Sequence, residues 1–118
     1  MIEMIKNNSM SFLLKVDTQG IKELLKYIQT VSEKSEDHIQ MLYLGQERKF
    51  IIKLDSDVDE MIIYKDVLEV CMDEEELDYL EERLKKSLIN NCFYPAEICE
   101  RRYKNKYVII YCDIIYKE

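Results

Sequence analysis

The side chains with the greatest chemical potential in this sequence are carboxylates gathered in one stretch. Thirteen acidic residues lie between Asp55 and Glu82, against Lys65 as the single basic residue, so this window carries a net charge of −12. The whole chain carries −7, which leaves +5 for the remainder. Charge concentrated in this way speeds encounter with a basic partner and repels nucleic acid and anionic membranes. The simpler alternative is a solvated helix face beside an acidic loop, which only keeps the protein in solution.

The patterns typical of catalysis are sparse. His38 is the single histidine, and its neighbour Asp37 is adjacent in sequence rather than placed as a catalytic partner. Two glycines are too few for a glycine-rich phosphate loop, and the sequence has no nucleophile elbow. Cys99 has both acidic and basic neighbours, whose effects on the thiol pKa oppose each other. We therefore predict that the protein is not an enzyme.

The alternation of Asp55, Asp57 and Asp59 is typical of the start of a calcium-binding loop. Such a loop then needs a glycine where this sequence has Glu60, and a bidentate glutamate where it has Asp66. The four cysteines lack the spacing of zinc ligands. We expect neither a bound metal nor a cofactor.

The length predicts one domain covering residues 1–118, with no second domain. The first residues, MIEMIKNNSM, have no apolar core of signal-peptide length, and no run approaches the roughly 20 apolar residues of a membrane span. We expect a soluble, cytoplasmic protein. No CxxC spacing is present, so reduced thiols are favoured over disulfides at Cys71, Cys92, Cys99 and Cys112.

A run of basic and aromatic residues, RRYKNKY from Arg101 to Tyr107, has the chemistry to clamp single-stranded nucleic acid. An ordinary hairpin tip with solubilising charge is the alternative, and the acidic remainder of the chain favours it. Five tyrosines cluster late in the chain and favour protein contacts, since tyrosine is enriched at interfaces. Some tyrosines belong to the core, and we expect Tyr111 to be among them.

The clearest local signal is a strand that runs directly into a capped helix. Val67–Met72 is the strand, and Asp73 begins the helix as its cap, with Glu76 closing the capping box. An apolar stripe at helical spacing predicts the buried face of this helix: Leu77, Leu80, Leu84 and Leu88. We expect acidic residues in the first turn and basic residues in the last turn, as the helix dipole favours.

The remaining apolar patterns predict one further helix and six more strands. The helix is capped by Asp17 and ends near Glu33. The strands are predicted at residues 10–16, 38–44, 49–54, 61–64, 98–103 and 107–116, after a polar lead. A short helix starting at Pro95 stays open as the alternative to the strand at 98–103.

The sequence also carries an internal repeat. An offset of 56 residues places Asp17 on Asp73 and Ile21 on Leu77, with strands before and after each helix. The chain then divides into two β-α-β-β copies, at about residues 10–54 and 61–116. We therefore predict an α+β fold with one mainly antiparallel sheet and both helices packed on one face. The match lies in pattern more than in identity, so chance similarity stays open as the alternative.

Four segments carry a resemblance to a known family: VDTQGIKELLKYI, SEDHIQMLYL, MDEEELDYLEERL and FYPAEICE. Together they cover much of the chain, which resembles the immunity proteins of bacterial contact-dependent inhibition and polymorphic toxin systems. The most specific parts are a D-x-x-G-[IL]-x-x-L turn at Asp17 and a later H-[IL]-x-[LM] at His38. The second copy departs from this pattern, with Glu76 where the first copy has Gly20.

The resemblance implies a protein that binds one cognate toxin, often a nuclease, and blocks its active site or another surface that the toxin needs. An acidic inhibitor suits a nuclease because a phosphate-binding site is basic and carboxylates can occupy it. Under this interpretation the toxin-facing residues are Asp55, Asp57, Asp59, Glu60, Glu74, Glu75, Asp78, Glu81 and Glu82. Neither nucleic acid nor a membrane is an expected partner.

Two other classes of function stay open. A small regulatory or adaptor domain, working as a homodimer, would use its acidic face only for solubility. An enzyme subunit or ligand-binding module would have a pocket under the sheet with convergent polar groups. Whether the chain is a monomer or a homodimer also stays open.

Overall fold

Eight strands form one sheet, and two helices pack against it. The structure, a computed structural model, describes residues 1–31 and 38–115. The strands are β1 (Ile2–Asn8), β2 (Ser11–Val16), β3 (Ile39–Tyr43), β4 (Gln46–Leu54), β5 (Met61–Tyr64), β6 (Val67–Met72), β7 (Glu97–Tyr103) and β8 (Lys106–Ile114). The helices are α1 (Thr18–Val31) and α2 (Glu74–Asn90). The predicted end of the first helix at Glu33 and of the last strand at Tyr116 lie outside the described residues.

The sheet is built from four hairpins. Each hairpin is antiparallel: β1 with β2, β3 with β4, β5 with β6, and β7 with β8. Neighbouring hairpins meet through parallel pairs, which are β1 with β3, β2 with β8, and β4 with β6. The sheet is therefore mixed, with four antiparallel and three parallel pairs, so the prediction of a mainly antiparallel sheet is confirmed only in part. Turn residues reveal hairpin partners in a sequence, whereas parallel contacts between distant hairpins leave no local signal.

The two edge strands of the sheet, β5 and β7, lie against each other and nearly close it into a ring. Glu60, just before β5, forms a parallel bridge with Arg102 of β7. The backbone N–H of Arg102 donates to the carbonyl oxygen of Asp59 at 2.7 Å. The Arg102 guanidinium also donates to the Glu60 carboxylate at 2.6 Å. Each edge strand thus covers part of the other.

The repeat unit is β-β-α-β-β, one strand longer than predicted, because β1 was interpreted as a polar lead. Only the first and third residues of β1 are buried, and the strand ends in three exposed polar residues, so its alternation is too short to detect. The two copies also match in register. Val67 of β6 pairs with Lys49 of β4, as Ser11 of β2 pairs with Ile109 of β8. An offset of 56 relates α1 to α2, and 60 relates the following hairpins.

Both helices bury their apolar faces in the same core as the sheet. Leu24 of α1 and Leu80 of α2 line one enclosed apolar cavity together with Met4, Leu14 and Ile110 of the strands. The volume of this cavity is about 20 Å³. A small-molecule site usually needs roughly 300 Å³ or more, so this space under the sheet is packing rather than a ligand pocket.

Both predicted caps are confirmed. The Glu76 N–H donates to Asp73 Oδ1 at 2.7 Å and the Asp73 N–H donates to Glu76 Oε1 at 3.0 Å, which closes the capping box of α2. At the start of α1, the Gly20 N–H donates to Asp17 Oδ1 at 2.7 Å. The same oxygen accepts from the ammonium group of Met1 at 2.6 Å. Asp17 therefore ties β1 to α1.

Several side-chain predictions have separate outcomes. Leu88 is 36% exposed, so its place in the buried stripe is wrong; it lies in the extra turn by which α2 exceeds α1. Tyr111 is only half-buried, whereas Tyr27 and Tyr43 are in the core. Glu97–Tyr103 forms β7, which confirms the predicted strand at 98–103 and excludes the alternative short helix at Pro95. The last turn of α2 has no basic residue, so the prediction of a basic last turn is wrong. All four cysteines are free thiols, as predicted.

Candidate functional site

The acidic loop between β4 and β5 forms a cleft with the start of α2. Asp55, Asp57 and Asp59 line this loop cleft together with Asp73 and Glu76, and its volume is about 450 Å³. A local turn shapes the loop, since the Asp57 N–H donates to Asp55 Oδ1 at 2.9 Å. The three loop aspartates predicted at the site are thus brought together beside the helix.

A second cleft, the helix groove, lies between the two helices and has a volume of about 650 Å³. It is lined by Ile28, Gln29, Leu54, Glu74, Leu77, Asp78 and Glu81. Leu54 and Glu74 are the sequence neighbours of Asp55 and Asp73, which line the loop cleft. The two clefts therefore adjoin at the start of α2 and present one acidic surface.

Three of the predicted residues lie outside this surface. Glu75 and Glu82 are exposed on α2 but line neither cleft, because neighbouring residues of a helix point in different directions. Glu60 lines a separate cleft beside Arg102, where the sheet closes. Glu60, Glu75 and Glu82 thus lie outside the two clefts, whereas the other six predicted carboxylates each line one of them.

Internal ion pairs neutralise part of the charge. Arg102 lies 2.6 Å from Glu60 and 4.0 Å from Asp59. Two pairs join residues four apart on α2: Glu81 with Lys85 at 3.5 Å, and Glu82 with Lys86 at 2.9 Å. Within residues 1–31 and 38–115, no ion pair involves Asp55, Asp57, Glu74, Glu75 or Asp78. Asp55 is half-buried, and the other four carboxylates are exposed.

The same positions of α1 are not acidic. Glu74, Glu75 and Asp78 of α2 correspond to Thr18, Gln19 and Lys22 of α1, and all six side chains are exposed. α1 has no acidic residue in its first turn, whereas α2 has three. Because α1 forms and packs without these carboxylates, the fold does not require them at residues 74, 75 and 78.

The base of the loop cleft holds Arg101, which the sequence patterns did not identify as a site residue. Arg101 is 5% exposed; its Nε donates to the carbonyl oxygen of Cys71, and its guanidinium pairs with Glu76. Burial lowers the pKa of Arg101, but the hydrogen bond with Glu76 and nearby negative charge outweigh burial, so the net shift is upward. Strand alternation, which puts Arg101 on the same face as buried Cys99, was the available signal.

The run RRYKNKY forms a hairpin tip, which was the favoured alternative for this segment. Lys104 and Asn105 are the turn residues between β7 and β8, with φ of 50° and 65°. Arg101 is buried, and Arg102, which is exposed, pairs with Glu60. The structure therefore confirms the predicted hairpin at this segment.

Arg83 is a second buried cation, on the face of α2 that packs against β7 and the segment before it. Its guanidinium lies 4.1 Å from the ring centre of Tyr79 and 4.7 Å from that of Phe93. It donates to the carbonyl oxygens of Pro95 and Glu97 at 2.7 and 2.6 Å. Burial lowers the pKa of Arg83. These contacts anchor the chain between α2 and β7 and leave the acidic surface on other faces of the helix.

Within the two described ranges, no three His, Cys, Asp or Glu side chains come together as ligands for a metal ion. Of the helices in those ranges, none has the length and apolar character needed to cross a bilayer. The sequence matches no protein-family model and no curated protein. Function is therefore inferred from the acidic surface and from the pattern of the sequence.

Proposed function

We propose that the protein is a cytoplasmic immunity protein that binds and neutralises one basic toxin domain, of the nuclease class, through its acidic surface. Asp55 and Asp57 line the loop cleft, Glu74 and Asp78 line the adjoining helix groove, and none of the four has an ion-pair partner within residues 1–31 and 38–115. The phosphate-binding site of a nuclease is basic, so these carboxylates can occupy it and exclude the nucleic acid. The alternative is an adaptor domain whose acidic face is merely solubilising. Exchanging the charged residues of the two helices distinguishes this alternative from the immunity protein.

The contrast between α1 and α2 carries this proposal. The helix dipole stabilises a first-turn carboxylate by about 0.3–1 kcal/mol, which accounts for Glu74 and Glu75. Asp78 lies beyond that turn and four residues from both Glu74 and Glu82, where like charges destabilise a helix by about 0.2–0.5 kcal/mol per pair. The equivalent residue of α1 is Lys22. An unpaired carboxylate with a stability cost and no structural role is expected at a binding surface.

The experiment exchanges the exposed residues of the two helices. The variant Glu74→Thr, Glu75→Gln, Asp78→Lys gives α2 the residues of α1. Cells that express the toxin domain encoded beside this gene should grow with the wild-type protein and stop growing with the variant. Purified variant should also associate with the toxin more slowly and with a weaker dependence on salt. Unchanged protection and unchanged kinetics would contradict the proposal.

A composition-matched control separates the place of the charge from its amount. Adding Thr18→Glu, Gln19→Glu and Lys22→Asp to the first variant moves the carboxylates to α1 and restores the net charge of −7. The proposal expects that this control also fails to protect, because its charge lies on the wrong helix. Protection restored by the control would show that net charge alone matters and would overturn the assigned surface.

A further inference from the structure

We infer that the helix groove selects the partner by accepting one arginine side chain of the bound protein. The aliphatic stem of this arginine lies on Leu54 and Leu77, and its guanidinium pairs with Glu74 and Asp78. The inference rests on the proposed function, since it assigns the recognition chemistry of the same acidic surface.

The groove has an apolar floor that reaches the surface at Leu54. Ile28 and Leu77 are buried, whereas Leu54, the last residue of β4, is 44% exposed. The equivalent residue at the end of β8 in the second copy, Ile114, is buried. The first copy thus leaves apolar surface open beside the groove at a position where the second copy covers it.

Of the three carboxylates that line the groove, one is already engaged in contacts and two are not. Glu81 is already engaged, with Lys85 at 3.5 Å and with the Gln29 side-chain amide, which donates at 3.4 Å. Glu74 and Asp78 have no ion-pair partner among residues 1–31 and 38–115. The complementary group is therefore a cation on an apolar stem, placed between Leu54 and these two carboxylates.

Arginine fits this environment better than lysine. Its guanidinium is weakly hydrated and pairs with carboxylates through two parallel hydrogen bonds, whereas the lysine ammonium is a strongly hydrated point charge. Long basic side chains also bury their methylene stems against apolar surface while the charged end stays polar.

The loop cleft offers a poorer place for the same group. Its base already holds the guanidinium of Arg101, which repels a second cation and is paired with Glu76. Its lining has Val58 as the single apolar side chain. The loop aspartates then contribute to long-range attraction, and the groove makes the specific contact.

The test uses n-butylguanidinium, which reproduces the stem and head of arginine, with amide NMR of the whole protein. Saturable shifts should be confined to the groove, at Gln29, Leu54 and Asp78. Guanidinium without the stem and butanol without the head should each give at least about tenfold weaker binding there. The variant Leu54→Thr keeps a strand-forming side chain and should weaken the binding of butylguanidinium about three- to tenfold, through lost apolar contact.

Shifts centred on the loop cleft or scattered over the surface, or equal binding of guanidinium alone, would overturn the arginine pocket. This failure can be distinguished from failure of the proposed function. If the helix exchange abolishes protection but butylguanidinium does not bind in the groove, the proposed inhibitor function is supported and the arginine pocket is not. If butylguanidinium binds in the groove but the helix exchange leaves protection intact, the arginine pocket is supported and its role in neutralising a toxin is not.

Discussion

The two helices of this fold occupy equivalent places and carry different surfaces. α1 and α2 each follow a hairpin, begin at an aspartate cap and place a leucine, Leu24 or Leu80, in the same small cavity. On the exposed side, α1 has neutral and basic residues where α2 has carboxylates at 74, 75 and 78. The fold therefore depends on the buried faces of the helices, and the exposed faces are free to serve binding.

The two helices differ in the part of the chain that supplies a positively charged group at their N-terminal ends. In the first copy, the ammonium group of Met1 pairs with the cap residue Asp17 at 2.6 Å. In the second copy, Arg101 comes from a strand and pairs with Glu76 of the capping box. In the first copy, the backbone of Met1 lies against Gly20, where a Cβ would not fit. The residue equivalent to Gly20 in the second copy is Glu76. The two copies thus share the order of strands and helix. They differ in the chain segment that contributes the positive group at the start of the helix.

The largest effect is expected where the two copies are most alike. Leu24→Ala and Leu80→Ala should each destabilise the protein by about 2–5 kcal/mol, because each removes buried methyl groups from the shared core. Chemical denaturation of the two variants measures this loss. A negligible change for one of them would break the equivalence of the helices.

Alkaline pH should lower the free energy of unfolding through the hairpin β7–β8 but not through the equivalent hairpin β3–β4. Burial raises the pKa of Cys99 and Cys112 to about 12, above 9.0 for an exposed thiol, while the equivalent residues of the first copy are isoleucines. Unfolded thiols ionise first, so this contribution to stability is complete below pH 9 and falls as pH rises toward 12. We expect a loss of about 1.4 kcal/mol per thiol for each pH unit above 9.

The measurement compares denaturation of the wild type and of Cys99→Val, Cys112→Val at pH 8 and pH 10. All residues other than 99 and 112 are the same in both proteins, so the difference in slope isolates the two thiols. Parallel pH profiles for the two proteins would contradict the burial of the thiols as the cause.

Gly20→Ala tests the chain segment that completes the first helix start. An added Cβ would lie 2.1 Å from the carbonyl oxygen of Met1, so the contact between β1 and α1 must shift. We expect a loss of about 1–3 kcal/mol, although alanine is favoured over glycine in a helix by about 1 kcal/mol. Glu76→Ala at the equivalent site is the comparison, and thermal unfolding is the measurement. A stabilising Gly20→Ala would show that Met1 does not approach this closely.

The smallest effect on stability should come from exchanging the exposed residues. Glu74→Thr, Glu75→Gln, Asp78→Lys removes favourable dipole contacts and unfavourable like-charge pairs together, so stability should change by less than about 1 kcal/mol. Denaturation at low and high salt checks this. A large loss would mean that the carboxylates support α2 itself and would remove the distinction between buried and exposed faces.

Local signals predicted much of this fold, and long-range contacts account for what was missed. The cap at Asp73, the hairpin turns and most strands follow from short patterns that fold where they lie. β1 was missed because its buried alternation is too short to detect, and the parallel pairs were missed because they join hairpins that are far apart in the sequence. The same holds for the site. The loop aspartates were visible as a run, but the contact of Arg101 with Cys71, 30 residues away, was not.

The closing of the sheet at Glu60 and Arg102 has a consequence for how a partner can be held. An unpaired sheet edge invites a foreign strand to add its own backbone, but here, among the described residues, each edge faces the other. Under the proposed function, the toxin is then recognised by side chains on a preformed scaffold, with little ordering entropy to overcome on docking. The backbone pairing of β5 and β7 should therefore be the same in structures of the free and the bound protein, and a partner strand added at either edge would contradict this.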